Sequence, residues 1–513
     1  MSQGSRQNAP AWRGSYVYRR STAMLVSPRR CWRLSRRLKM KHRGKGSRSV
    51  VVVGAGIAGL ASAFMIREYA GDAGESVDIT ILEADDRHGG ATRTDHADGY
   101  TCEWGPNGFL DNEPATLELV KRLGIESELM KADESAANRY IYHGGAMRKV
   151  PMKPPQFLVS DILPLSAKLR MAMEFVIPAK HNGAEETVDQ FGRRRLGRSF
   201  ASTMLDPMVS GIFAGNTKEL SLGAVFPKMV AMEREYGGLF RAMFAKQKEA
   251  KRSGTKSGGP AGPSAVLHTF RDGMGRLPDA IADEFQGSIR LGARVTGLVP
   301  REGGAGFMIH TEKDRFEADE VVLACPSHAA AEIVQDLDGR TAEALRAIWH
   351  APVDVVCHGH HPDEIAHPLN GFGVLIPRSE GIRSLGTLWS DSIFPGQAPG
   401  DRKLLRTILG GAHDPGIANL SVDRLHDTAH RDHRTVMGVR EEPRFRTEFR
   451  HPHGIAQYTL GHLARVAETE RLEYDLPGLH FTGASYRGVS VNGCAKDAFR
   501  VAGNVWKREE ATV

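Results

Sequence analysis

Four consecutive valines, Val50 to Val53, form a short apolar run that ends in a glycine cluster spanning Gly54 to Gly59. A helical segment follows from Leu60 to Tyr69, then a second short apolar run from Val77 to Leu82. Short apolar runs bounded by turn residues read as buried strands, so Ser49 to Leu82 predicts strand, turn, helix, strand: a βαβ unit. From Pro114 to Gln247 the pattern turns helical, with Leu117, Leu119, Val120 and Leu123 as an early example. Lys246 to Ser264 is polar and rich in Gly and Pro, and reads as a flexible surface loop. Strand-like segments return at Ile289 to Val299, Phe307 to Thr311 and Glu320 to Ala324, and alternation resumes from Val353 to Leu409. Gly478 to Val505 reads as strand, turn, then helix. A βαβ start, an inserted middle and a late return predict domains built from separated stretches of chain.

Length and composition sharpen this picture. At 513 residues the chain exceeds what one hydrophobic core supports, so two or three domains are expected. No apolar run approaches the ~18 residues of a spanning helix. The most apolar stretches, Phe157 to Leu165 and Met171 to Ile177, are interrupted or flanked by Pro164, Lys168 and Arg170. That argues against membrane spanning and leaves peripheral association open. The net charge of +7 is misleading, because Met1 to Arg48 holds eleven Arg and three Lys with no acid. The remaining chain carries 54 basic against 61 acidic residues, a net −7, so nothing in the body suggests a nucleic-acid surface. Residues 1–48 are expected to be a basic extension outside the fold. An organelle transit peptide, a binding arm, and an early start codon with Met24 or Met40 as the true start are the competing accounts of it. Five scattered cysteines without a secretory signal suit a reducing compartment.

The chemistry begins at the glycine cluster. Gly54, Gly56 and Gly59 have G-x-G-x-x-G spacing between a predicted strand and a predicted helix. The first makes the tight turn, the second admits a pyrophosphate close to the backbone, and the third lets helix and strand pack. The helix N-terminus then offers N–H groups and a positive dipole end to the phosphates. Glu83 closes the second strand near the distance expected of an acid that binds ribose hydroxyls. Gly89 and Gly90 permit a second close backbone pass, and Arg87 and Arg93 offer charge to a pyrophosphate. The run Glu83 to Thr94 resembles the FAD proteins of the glutathione-reductase and amine-oxidase kinds, and Leu479 to Ala484 is similar to their closing flavin segment.

Further segments resemble one family within that group, the FAD-dependent protoporphyrinogen/coproporphyrinogen oxidases. They are Glu103 to Phe109, Ala137 to Tyr140, Ser210 to Asn216 with Glu219 to Ser221, Gly273 to Pro278, Gly371 to Pro377, Gln457-Tyr458 with Gly461-His462, and Tyr486 to Cys494. In this order they cover about Val50 to Trp506. The sequence departs from the family's usual pattern at Ala456, where proline is common, and at His451, where tryptophan is common. The resemblance implies an α/β fold: a Rossmann-type FAD-binding domain with an inserted helical domain and a mixed-sheet substrate domain, of the p-hydroxybenzoate-hydroxylase or amine-oxidase kind. The expected divisions are 49–113, 265–335 and 455–510 for FAD, 114–255 for the helical domain, and 336–454 for substrate.

By the same resemblance, FAD contacts come from Gly54, Ala55, Gly56, Ile57, Ala58, Gly59, Glu83, Ala84, Arg87, Ala91, Gly105, Pro106, Asn107, Gly108, Val295, Val489, Ser490 and Val491. Substrate contacts come from Arg139, Gly211, Phe372, Leu375, Leu388 and Ile408, with Arg139 on a propionate. The implied reaction removes six hydrogens from a porphyrinogen in three two-electron steps, with non-covalent FAD as cofactor and O2 as acceptor. No residue stands out as a general base. An amine oxidase or a carotenoid desaturase of the same fold is the alternative, and a flavin-binding scaffold without turnover is a third. Expected partners are the porphyrinogen and O2, without nucleic acid, and with peripheral membrane contact and a homodimer both compatible. The expected location is the cytoplasm, or an organelle if residues 1–48 act as a transit peptide. Cys357-His358-Gly359-His360-His361 with His367 follows no closed zinc spacing, and adjacent strand residues face opposite ways, so no metal is expected.

Overall fold

The computed structural model describes residues 48–151, 154–180, 183–253, 265–303 and 306–506. The basic extension, apart from Arg48, lies outside them. β1 (Arg48–Val53) and β2 (Val77–Leu82) flank helix α1 (Ile57–Asp72), as the apolar pattern predicts. The two strands pair in parallel, and Ile289–Arg290, Glu320–Leu323 and Leu479–Phe481 complete a five-stranded parallel sheet in which β1 is central. Both faces of such a sheet are covered, which is why Val50, Val51, Val52 and Val53 are all buried. Val50 and Val52 join a core with α1 and the C-terminal helix Val491–Trp506, while Val51 and Val53 join a second core on the other face.

The second large sheet has seven strands: β3 (Arg139–His143), β4 (Ala146–Lys149), β5 (His350–His360), β6 (Gly373–Leu375), β7 (Ser384–Trp389), β8 (Lys403–Gly410) and β9 (Phe445–Ala456). Their order is β9-β5-β8-β7-β6-β3-β4, antiparallel except for the parallel β6–β3 pair. Helix α2 (Asp206–Phe213) packs where a Cβ on Gly211 would lie 2.7 Å from Leu375. The molecule is thus α/β with one parallel and one mixed sheet.

Two expectations are corrected. The stretch 114–255 is not uniformly helical, because Arg139–His143 and Ala146–Lys149 form a hairpin in the mixed sheet. Tyr140, Ile141 and Tyr142 favour a strand, and Gly144 and Gly145, both at positive φ, make its turn. The segment from Lys246 does not leave helix at once, since Leu239–Ser253 is continuous helix. Lys, Gln, Glu, Ala and Arg are good helix formers, and the first glycine comes only at Gly254. Residues 254–264 lie outside the described residues.

Candidate dinucleotide and substrate site

The glycine turn has the geometry its spacing requires. Gly54 sits at φ +105° and donates to the Leu82 carbonyl at 2.8 Å, which ties the turn to β2. A Cβ on Gly59 would lie 1.9 Å from the Gly54 carbonyl oxygen, so only glycine lets α1 start so close to β1. Gly56 is different. A Cβ there would meet only the Gly90 Cα, at 4.0 Å, which leaves space beside the turn. Gly56 caps α1 with no side-chain bond to the helix, so the first N–H groups of α1 remain for an anion.

Other predicted cofactor residues converge on this turn. Glu83 accepts from the Ala55 N–H at 2.6 Å and from the Asp85 N–H at 3.0 Å, which holds its carboxylate at the mouth of the turn. The Gly89 N–H donates to the Ala55 carbonyl at 2.9 Å, bringing the second glycine pair against the first. Ala84, Arg87, Gly90 and Ala91 are exposed around it. A Cβ on Gly105 would lie 2.4 Å from the Ala91 carbonyl, so the loop Gly105, Pro106, Asn107, Gly108 begins against this edge. Val295 is half-buried two residues after Ala293, whose N–H donates to the Glu83 carbonyl at 2.7 Å. Val489 and Ser490 precede Val491, the first residue of the C-terminal helix, which packs on α1.

The residues present fit a bound dinucleotide. The Arg93 and Arg87 guanidiniums lie over the Trp104 indole, 5.0 and 5.9 Å from its centroid, and neither makes an ion pair among the described residues. Burial, and then the neighbouring Arg87, lowers the Arg93 pKa from its usual value. The buried Arg93 Nε and Trp104 Nε1 have no hydrogen-bond partner. Guanidiniums without a direct ion pair and buried donors without acceptors are what an anionic ligand would satisfy.

Four of the six predicted substrate residues share one sheet face. Directly paired residues lie on the same face, as do residues two apart. Arg139 pairs with Gly373, Gly373 with Leu388, and Leu388 with Arg406. Leu375 pairs with Gly386, and Gly386 with Ile408. Arg139, Leu375, Leu388 and Ile408 therefore project to one side. Leu375, Leu388 and Ile408 are half-buried in strands that are otherwise largely buried. Phe372, just before β6, places its ring 5.1 Å from the Arg139 guanidinium carbon. Arg139 is open to solvent on one side, yet enough protein surrounds it to lower its pKa by desolvation. Among the described residues it has no ion-pair partner.

Arg406 escaped sequence reasoning, and Glu103 and His451 were singled out there without the roles the structure gives them. Arg406, on the same face, is buried and donates to the carbonyls of Glu103, at 3.0 Å, and Gly105. It clamps the loop that starts at Gly105 to the mixed sheet, and a lone arginine inside K-L-L-R-T-I-L-G was the available signal. Glu103 is buried and accepts from the Met274 N–H and the Thr94 hydroxyl, each at 2.8 Å. Desolvation pushes its pKa up to about 7. Gly273, at φ +83°, and Gly275 crowd Thr94, which explains that glycine-rich segment. His451, at one of the departures noted above, shares a 3.1 Å hydrogen bond with the Trp104 carbonyl. Burial lowers its pKa, and it ties β9 to the same loop.

Comparison with known proteins agrees with this geometry. Residues 57–506 match the family model described as flavin containing amine oxidoreductase. The chain is 30% identical over 482 residues to the chloroplastic protoporphyrinogen oxidase of Nicotiana tabacum, covering 89% of this chain and 85% of the relative. It is 29% identical over 458 residues to the coproporphyrinogen III oxidase of Bacillus subtilis, covering 88% and 96%. A solved structure from Exiguobacterium sp. 255-15, provisionally named protoporphyrinogen oxidase, superposes with a TM-score of 0.75 at 23% identity. It covers 90% of this chain and 99% of that one.

Proposed function

The chain belongs to the flavin containing amine oxidoreductase family, and we propose that it oxidises a porphyrinogen to the porphyrin, with bound FAD and with O2 as final acceptor. FAD supplies the two-electron acceptor when bound; the chain's own residues supply position and electrostatics. The N–H groups at the start of α1, with Arg87 and Arg93, hold the pyrophosphate, and Glu83 meets a ribose. Non-covalent binding fits Cys494, which is buried in the core with its pKa pushed up to about 12 by desolvation.

The observation that carries the substrate reading is the unpaired Arg139 beside an apolar sheet face that Arg406 fastens to the cofactor loop. Phe372, Leu375, Leu388 and Ile408, with Gly211 admitting α2, form apolar walls for a flat macrocycle, and Arg139 binds a propionate at its rim. A cationic amine would be repelled by Arg139, and a carotenoid has no carboxylate to meet it. No carboxylate or histidine is needed as general base in this account, so the pyrrole protons leave to the cofactor or to water. We assign 49–113, 265–335 and 455–510 to the cofactor, and 336–454 to substrate together with the hairpin Arg139–His143 and Ala146–Lys149, which the otherwise helical insertion 114–255 contributes to the mixed sheet.

Among the described residues no helix is long and apolar enough to cross a membrane. Val159, Leu165, Leu169 and Val176 are each more than 60% exposed across the consecutive short helical segments Pro154–Val159, Leu165–Ala172 and Met173–Val176, an apolar surface suited to resting on lipid. A panel assay tests the substrate reading: protoporphyrinogen IX, coproporphyrinogen III and several amines, alone and in competition, with peroxide as readout. Peroxide from a porphyrinogen alone is the expected result. Peroxide from amines alone would overturn it.

A further inference from the structure

The mixed sheet has a second face, away from Arg139 and Arg406. Cys357 pairs with Arg406, so His358 and His360 project to the opposite side. Helix α3 (Val422–Met437) packs against β5 and brings His426, His430 and His433 at i, i+4 and i+7, one helical face. All five imidazoles are buried in a cluster spread over two elements. His358, His360 and His433 each present a ring nitrogen, and these lie within 4.8 Å of one another.

The hydrogen bonds around the cluster leave lone pairs pointing inward. His358 Nε2 lies 2.9 Å from His426 Nδ1, and His426 Nε2 lies 3.0 Å from Glu448. With Glu448 ionised, His426 donates to it from Nε2 and accepts from His358 Nε2, so His358 Nδ1 is left without a proton. His433 Nε2 lies 2.5 Å from the Thr407 hydroxyl, which is 3.0 Å from that of Thr387. With Nε2 donating there, His433 Nδ1 is likewise a free acceptor. His360 has Nδ1 3.7 Å from Glu364, which leaves Nε2 free. His358 Nδ1, His433 Nδ1 and both His360 nitrogens are buried with no hydrogen-bond partner. Four such atoms converge in this one cluster, where His358 is steadied from behind by His426 and Glu448 and His433 by the Thr407 hydroxyl, surroundings that a metal ion would satisfy.

We propose that His358, His360 and His433 bind one divalent first-row transition-metal ion, with zinc the representative of the class. All three rings are buried, and burial disfavours the charged imidazolium. Neutral imidazole is the ligand form. Glu448, through His426, places negative charge behind the ligands, while Glu364, beside His360, is itself paired with Arg444. The ion lies across the sheet from the substrate face and takes no part in the oxidation. It fastens α3 to β5.

The test uses the full-length flavin-loaded protein, free of any affinity tag. Elemental analysis of the purified protein should find one ion per chain. Stripping with a chelator should lower Tm, and Zn2+ should restore it by several degrees. Co2+ added to the stripped protein should give the d–d absorption of a tetrahedral nitrogen site at wavelengths beyond the flavin bands. His360→Gln and His433→Gln should each lose the ion, the band and the Zn2+ response, while flavin content stays normal. A wild-type protein that holds no metal and responds to neither ion overturns the proposal, whether or not the variants fold. So does a variant that binds the metal as tightly as the wild type, because the ion then lies elsewhere.

Discussion

Replacing Gly56 with valine separates what the fold needs from what the cofactor needs. Gly56 has φ −72° and ψ 174°, extended backbone that valine adopts freely. A Cβ there would find only the Gly90 Cα, at 4.0 Å, which is ordinary contact. The cofactor-free fold should therefore lose no more than about 1 kcal/mol, the scale of a poor residue at a helix N-cap. The pyrophosphate should not tolerate the change, because the isopropyl group fills the space through which it approaches the backbone. Forcing extra methyl groups into a close contact costs roughly 1–3 kcal/mol, or about ten- to a hundredfold in Kd. The assay compares parent and variant in flavin-to-protein absorbance, in FAD titration of the apoprotein, and in apoprotein Tm. Gly59→Ala is the contrast: its Cβ would lie 1.9 Å from a backbone oxygen, so its apoprotein should be destabilised before cofactor is considered. If Gly56→Val binds FAD with the parent's affinity, the pyrophosphate does not lie where the turn indicates.

Arg139→Ala should lower kcat/KM for a porphyrinogen about ten- to a hundredfold, the scale of one lost charged hydrogen bond, at unchanged flavin content; Arg139→Lys should recover only part, and wild-type kinetics in the Ala variant would remove the propionate contact. Glu103 has a folded pKa of about 7 against an ordinary 4.5, so the folded state holds the proton more tightly. Its contribution to stability is complete below the ordinary value and is lost as pH rises from about 4.5 to 7, in all roughly 3 kcal/mol. Glu103→Gln, which mimics the protonated acid, should flatten denaturation midpoints across that window, and an unaltered slope would show that the carboxylate is ionised throughout. Deleting residues 1–46 should leave turnover of the purified enzyme intact, because β1 begins at Arg48; lost activity would place that segment in the catalytic unit.

The cofactor turn was legible because its chemistry is local: three glycines, a valine strand and an apolar helix lie within about twenty residues. Glu83 could be assigned from spacing alone. The proposed substrate face was legible only through family resemblance, because Arg139 and Ile408, on strands separated by β6 and β7, come to share one face only through the register of four strands. Arg406 was missed for the same reason, since its partners Glu103 and Gly105 are some 300 positions earlier. The hairpin at Arg139–His143 was absorbed into a helical expectation because five residues are too few for periodicity to outweigh their surroundings. The histidine cluster shows the limit most plainly. His358 and His360 were visible as alternating strand residues, but the third ligand comes from a helix more than seventy positions away. No linear spacing rule joins them.

The central claim, oxidation of a porphyrinogen by a flavin enzyme that returns electrons to O2, is tested most directly by following two products of one reaction. Purified flavin-loaded protein is given a porphyrinogen in air, and porphyrin fluorescence and hydrogen peroxide are recorded together. Six hydrogens leave in three two-electron steps, so the account predicts three peroxides for each porphyrin, at a rate that falls with Arg139→Ala and falls in Gly56→Val in step with its lost flavin. Porphyrin forming no faster than in enzyme-free solution, with the flavin fully loaded, would contradict it.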